Sequence, residues 1–361
     1  MNVCIVTGAR PNFIKVAPII WAINKARKEG KNIAYKLVYS GSLSDKSLES
    51  SLFDDLQIRQ PDVYLGVDCL SLNELTGKVM GEFDKYLDDN QTDCVIVVDD
   101  LASTMAAAIV TKKKGVMLAH LVAGTRSFDI KMPKEINRLV IDGLSDLLFT
   151  AGMGSNSIVS REGANISQVY MVGNILMDTL RFNHSRLQRP DVLDSLQLNG
   201  GQYMVFTLNR KAILGNRENL RKMLNEMLRV SGDINIIAPL RDEARVVVED
   251  LLPVNNTFQI IDPLSYLEFG YLTSHAMGII TDSGNVAEEA TFNGIPCITL
   301  NSYTEHVETV SIGSNVLVGE DPDMLARYVE DIKEGRWKKC SLPDRWDGRT
   351  AERIVSILCE K

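Results

Sequence analysis

The chain has no Cys-x-x-Cys pair, although it carries six cysteines: Cys4, Cys69, Cys94, Cys297, Cys340 and Cys359. Most sit in apolar, strand-like surroundings and read as buried, reduced thiols, not as a redox motif or a zinc knuckle. Histidine is scarce. His120, His184, His275 and His306 are dispersed, with no His-x-x-x-His and no carboxylate cluster at ligand spacing, so no metal centre is expected. The Gly-x-Ser-x-Gly pattern of a nucleophile elbow is missing. So are repeats of solenoid period and low-complexity tracts. No apolar run reaches membrane-spanning length, and the opening MNVCIVTG has neither a basic segment nor a long apolar one. A net charge of −8 argues against general nucleic-acid or anionic-membrane binding but leaves room for a local basic pocket. The expectation is a cytoplasmic protein with no cofactor, and with neither membrane nor nucleic acid as partner.

What the chain does have is a strand–turn–helix rhythm. At 361 residues it is long for a single core, and two domains are the default. Short apolar runs suited to buried parallel strands recur at residues 2–7, 35–40, 94–98, 116–122, 146–150 and 168–172. A mixed-charge helix at 176–191 follows, and then the rhythm restarts at 203–208, 234–239, 257–261, 278–281, 297–300 and 315–318. Amphipathic segments between them (13–27, 73–87, 217–230 and 321–334 among others) read as helices. The fold class is therefore α/β: two doubly wound, Rossmann-like halves facing across a cleft. Residues 1–178 form the first domain and 179–343 the second. Residues 344–361 carry a terminal helix that packs back on the first.

Candidate site residues lie where strands end. In GIITDSGNVAEEATFNGIPCITL (278–300), Asp282-Ser283-Gly284-Asn285 supplies turn and N-cap chemistry before a short helix. Free N–H groups there suit a phosphate, and Glu288 and Glu289 lie a turn further on. An ordinary capped βα corner explains the same residues equally well. After the first strand, Arg10 falls in the Gly8–Asn12 turn and Lys15 in the first helical turn, where a cation opposes the helix dipole unless an anion is near. Asp99-Asp100 ends a strand. One of the two can cap the helix that follows while the other serves a ligand. His120 ends a buried strand and reads as a core histidine. Gly152–Ser155 reads as a loop between elements.

Five segments carry a resemblance: GARPNFIKVAPII (8–20), DDLASTMAAAI (99–109), HLVAGTRSFDIKMPKEINR (120–138), VGNILMDTL (172–180) and TDSGNVAEEATFNGIPCITLNSYTEHVET (281–309). Together they resemble the non-hydrolysing UDP-N-acetylglucosamine 2-epimerases, in the family's order and over nearly the whole chain. The resemblance implies a GT-B-like fold, a homodimer, and UDP or a UDP-N-acetylhexosamine as ligand. The implied reaction eliminates UDP across C1–C2 of the sugar and re-adds it with C2 inverted.

By the same resemblance, Arg10, Lys15, Ser283 and Gly284 would contact phosphate, Glu289 the ribose and Phe269 the uracil. Arg210 and His306 fall at other UDP-side positions. Asp100 matches the family's catalytic aspartate, and Arg126, Glu135 and Arg138 match motif positions. Asp100 and Glu135 are the catalytic candidates. The departures gather at the acid–base positions. Val122 stands for a glutamate, Lys134 for a glutamate and Asn209 for a histidine. His306 and Asn301 stand for arginines, Pro239 for a histidine, and Ser42-Leu43 for a Gln-His pair. Asp99 stands where the family has glycine. Val122 exchanges no proton, Asn209 is no general base, and Lys134 reverses a charge. Three functional classes follow: a diverged epimerase, a non-catalytic paralogue acting as UDP-sugar sensor or partner subunit, and a glycosyltransferase on the same scaffold, for which no acceptor signature is visible.

Overall fold

A computed structural model describes residues 1–45, 48, 50–253 and 256–361. It separates into two compact units, Met1–Phe182 with Asp344–Lys361, and Asn183–Pro343. The first unit contains a parallel sheet built from β1 (Asn2–Thr7), β2 (Ala34–Tyr39), β3 (Val63–Tyr64), β4 (Cys94–Val98), β5 (Met117–Ala123), β6 (Leu147–Thr150) and β7 (Val169–Met171). Its spatial order is β3-β2-β1-β4-β5-β6-β7. The second unit contains β8 (Tyr203–Thr207), β9 (Asn235–Pro239), β10 (Phe258–Ile261), β11 (Gly278–Thr281), β12 (Cys297–Thr299) and β13 (Asn315–Leu317), ordered β10-β9-β8-β11-β12-β13. Both orders reverse direction once, between β1 and β4 and between β8 and β11. In doubly wound sheets the ligand crevice opens at that reversal, outside the strand C-termini.

The strands are apolar on both sides because both faces are covered. In β8, Met204 and Phe206 enter the core formed with helices Arg217–Ser231 and Pro322–Lys333, while Tyr203 and Val205 enter the one formed with Leu272, Val286 and Ala290. In the first unit, Val95 and Val97 of β4 pack with Phe83 and Tyr86 of helix Leu72–Asp89 and with Ala107 and Ala108 of helix Ala102–Lys113. The alanine side of the latter helix lets it lie close to the sheet. The turn after β1 comes equally close, since a Cβ on Gly8 would stand 2.1 Å from Ser103 Oγ.

Several local expectations are corrected. Helix Arg10–Lys28 begins at Arg10, with Pro11 in its first turn, so Arg10 is helical and Lys15 lies in the second turn. A proline early in the first turn supports helix entry, which moves the start upstream of Phe13. The cap of helix Ala102–Lys113 is Leu101, with no side-chain bond, so neither Asp99 nor Asp100 is a cap. The mixed-charge segment is not one helix: Ile175–Asn183 ends, a short 3-10 turn His184–Arg186 follows, and Pro190 precedes Asp191–Ser195. Gly152–Ser155 is not a loop, because Gly152 is the N-cap of helix Met153–Arg161. Cys4, Cys94 and Cys297 are buried as expected, and burial pushes their thiols up to about 12. Cys69 is half-buried, and Cys340 and Cys359 are exposed.

Candidate functional site

In the first unit the ends of β1, β4 and β5 are tied by charge. Lys15 is buried, and its Nζ lies 2.6 Å from Asp99 Oδ1. Asn12 Nδ2 donates to Asp99 Oδ2 at 2.9 Å, while Asn12 Oδ1 accepts from the Gly8 N–H. Asp99 has φ +58°. Beside it, the Asp100 carboxylate takes the Arg138 guanidinium at 2.6 Å and the Lys134 ammonium at 3.3 Å. Burial alone would raise the Asp100 pKa. Lys134 and Arg138 outweigh it and hold the carboxyl below its usual range.

β5 ends in a bulge. Its register against β6 shifts between Leu121 and Ala123, and Val122 has φ +70°. A β-branched residue in that region is strained by about 1–2 kcal/mol. The bulge turns the chain toward Gly124, whose N–H donates to Asp142 Oδ2 at 3.1 Å. Asp142 also receives Arg126 at 2.7 Å and His120 Nδ1 at 2.6 Å. Burial would raise the Asp142 pKa, but His120 and Arg126 lower it overall. The other His120 nitrogen sits 3.0 Å from the Asp99 carbonyl. Both ring nitrogens thus face acceptors, and the ring is a brace between strands.

Glu135 is held in the same way. Its carboxylate accepts from the Ser127 N–H and Oγ (both 2.9 Å), the Phe128 N–H (3.0 Å) and Arg138 (3.2 Å). It therefore organises the loop after β5. Its pKa, which burial would raise, is lowered by the Ser127 and Phe128 donors and by Arg138. Asp142 was missed in the sequence, although a signal existed: Glu135, Arg138 and Asp142 recur at spacings of three and four along helix Pro133–Leu144. All three fall on the buried stripe of that helix.

In the second unit the ends of β8, β11 and β12 converge. Asp282 Oδ2 accepts from the backbone N–H groups of Asn209 (2.8 Å) and Arg210 (2.6 Å). Burial raises its pKa, and Asp282 Oδ1 is buried with no hydrogen-bond partner among the described residues. Arg210 reaches Asn301 Oδ1 at 2.6 Å and lies 5.6 Å from the Tyr303 ring centroid. Asn209 is exposed. Ser283 is the N-cap of helix Gly284–Asn293 and accepts from the Val286 N–H at 3.5 Å. A Cβ on Gly284 would meet open space. Glu288 and Glu289 are both buried. Burial first, and then the Glu288 charge, push the Glu289 carboxyl up to about 8. His306 Nε2 lies 3.7 Å from Glu288 Oε1. Phe269 is half-buried in helix Tyr266–Ser274 and packs on that unit's core. Arg10, by contrast, is in the first unit and half-buried.

The sequence profile of the family described as UDP-N-acetylglucosamine 2-epimerase matches residues 25–359. The UDP-N-acetylglucosamine 2-epimerase of Methanocaldococcus jannaschii is 32% identical over 371 residues, covering 99% of each chain. This chain belongs to the UDP-N-acetylglucosamine 2-epimerase family. The UDP-2,3-diacetamido-2,3-dideoxy-D-glucuronate 2-epimerase of Pseudomonas aeruginosa is 31% identical over 328 residues, 90% of each. The crystal structure of the M. jannaschii epimerase in complex with UDP-GlcNAc and UDP superposes with a TM-score of 0.86 at 31% identity, covering all of both chains. The GT-B-like α/β fold is thereby established for this epimerase-family member. No described helix is long and apolar enough to cross a membrane, and no group of metal-ligating side chains occurs among the described residues.

Proposed function

We propose that the protein binds a UDP-N-acetylhexosamine and that its proton-transfer centre is remodelled so that inversion at C2 is lost. The observation that carries this reading is the state of Asp100. Its carboxylate is paired with Arg138 and Lys134, and its pKa is held down. A carboxylate so acidified and so neutralised is a weak base for a C2 proton. Val122 offers no second base, and Asn209 brings no imidazolium charge to a departing diphosphate. Glu135 is committed to its loop donors. General acid–base assistance is worth roughly 100- to 10,000-fold per group, and coupled losses abolish turnover.

Retained positions support binding. Ser283 and Gly284 stand at a helix start suited to the diphosphate. Glu289 is a buried carboxylate for which ribose hydroxyls would be donors. Lys15 and Arg10 would serve phosphate, Arg210 and His306 the other UDP-side contacts, and Phe269 the uracil. The protein would then act as a UDP-sugar sensor, or as a partner of an active copy in a dimer of the family type. A second reading, a diverged epimerase, is favoured by the relatives' activities and by the presence of Asp100.

The test is UDP-N-acetylglucosamine in deuterated water, with the C2 proton followed by NMR and UDP followed by its effect on Tm. The expected result is a raised Tm and no deuterium at C2. Deuterium or a manno product overturns the non-catalytic reading, and no stabilisation by UDP overturns nucleotide binding. The triple variant Val122→Glu/Lys134→Glu/Asn209→His is expected to regain exchange, while each single change gives none.

A further inference from the structure

The strand order of the first unit reverses between β1 and β4, and that is where a doubly wound sheet opens its ligand crevice. Lys15 follows β1, Asp99 follows β4, and the two meet there at 2.6 Å. We propose that Asp99 is a built-in counter-ion that occupies the place of a ligand phosphate at Lys15, so that nucleotide must displace it and binds more weakly than the site would otherwise allow. The inference rests on the reading that this protein binds UDP.

Three observations carry it. The first is backbone conformation: at φ +58° a residue without a Cβ is favoured, yet the position holds a charged side chain. Asp is among the few residues that tolerate this region, so the carboxylate is kept at a local cost. The second is the cradle. Asn12 Oδ1 is fixed as an acceptor by the Gly8 N–H, which leaves its amide N–H to donate to Asp99 Oδ2. The start of helix Arg10–Lys28 thus presents an ammonium and an amide donor to one carboxylate, the same donor set that a phosphate oxygen would use. The third is burial: the Lys15 and Asp99 side chains are only 9% and 16% exposed. Solvent screens such a pair poorly, and a second anion brought to the same ammonium meets the full repulsion of the first.

The test compares wild type with Asp99→Asn and Asp99→Gly by calorimetry, using UDP, inorganic pyrophosphate and uridine as probes. Asparagine and glycine both accept φ +58°, so two independent variants keep the backbone, and unchanged circular dichroism checks each. The expected result is UDP and pyrophosphate bound at least tenfold tighter by both variants, with uridine affinity unchanged. A merely structural role for Asp99 would move uridine and UDP together. If wild type binds UDP and neither variant binds it tighter, or if uridine shifts equally, the counter-ion proposal is overturned while nucleotide binding stands. If UDP and pyrophosphate bind none of the three proteins, nucleotide binding is overturned and the proposal with it.

Discussion

Glu289 is a carboxylate that folding has placed badly for a charge. Burial, reinforced by the neighbouring Glu288, pushes it up to about 8 against an ordinary value of 4.5. The folded state therefore favours the protonated form. The resulting contribution is fully present below about pH 4.5 and is lost as the pH rises through about 8, by up to about 1.4 kcal/mol per pH unit inside that window. Urea unfolding of wild type should show this decline, and Glu289→Gln should flatten it. Hydroxyl donors from a ribose would stabilise the ionised form, so the proposed UDP binding should release a proton below pH 8. Affinity should rise with pH up to about 8 and level off beyond it. Calorimetry in two buffers of different ionisation enthalpy reads the proton directly, and proton uptake would exclude Glu289 as the ribose acceptor. At Asp100 the same physics has the opposite outcome, because two cations outweigh burial.

At the scale of elements, the C-terminal helix Thr350–Cys359 lacks a cap of its own, since Arg349 at its N-cap makes no side-chain bond. A helix start leaves four N–H groups unsatisfied. Asp178, in helix Ile175–Asn183, takes two of them, from Thr350 at 3.0 Å and Ala351 at 2.8 Å. The cap is thus imported from another element of the same unit. Burial lifts the Asp178 carboxyl to about 6 despite these donors. Asp178→Ala removes both acceptors from buried N–H groups and should cost about 2–3 kcal/mol in urea unfolding. A cost below about 0.5 kcal/mol would show that water replaces the carboxylate. Helix Gly284–Asn293 is built differently, from its own neighbours, with Ser283 in front and Gly294 at φ +70° behind. Both helices were legible from local residue types to within two residues, but the Asp178 cap of the C-terminal one was not, because it lies 172 residues away in the chain.

At the scale of the molecule, the second unit is one continuous stretch, whereas the first is completed by residues 344–361. Trp346 is fully buried and donates its indole N–H to the Ala151 carbonyl at 3.1 Å, and Ile354 and Leu358 are fully buried too. Residues 183–343 expressed alone should therefore unfold cooperatively, with their own core intact. Residues 1–182 alone should not, because truncating even one large buried side chain costs about 3–5 kcal/mol and three are missing. Circular dichroism and urea titration of the two fragments check this. A cooperative transition in 1–182 would show that the terminal segment is dispensable.

Much of the architecture was legible in short stretches. Cys94–Val98 is five apolar residues between polar neighbours, and its strand bounds were read without error. The tandem βα rhythm and the motif segments were enough for the fold class and the family. Helix Met153–Arg161 was missed because MGSNSIVSR shows no apolar period, and helix Asp242–Leu251 went unassigned between two strands. Of the site, the residue types could be named but not their state. Nothing near Asp99 in the chain announces Lys15, which is 84 residues away. Nothing near Val122 announces a bulge. The sequence by itself determined the alternation of strands and helices, the α/β fold class and the family, because propensity, capping, hydrophobic period and motif spacing are set by near neighbours. Only the tertiary structure decided which charges meet: Lys15 with Asp99, Lys134 and Arg138 with Asp100, and Asp142 with His120 and Arg126. Those pairs depend on strand order and on backbone turned to positive φ at strand ends, and long-range pairing supplies both.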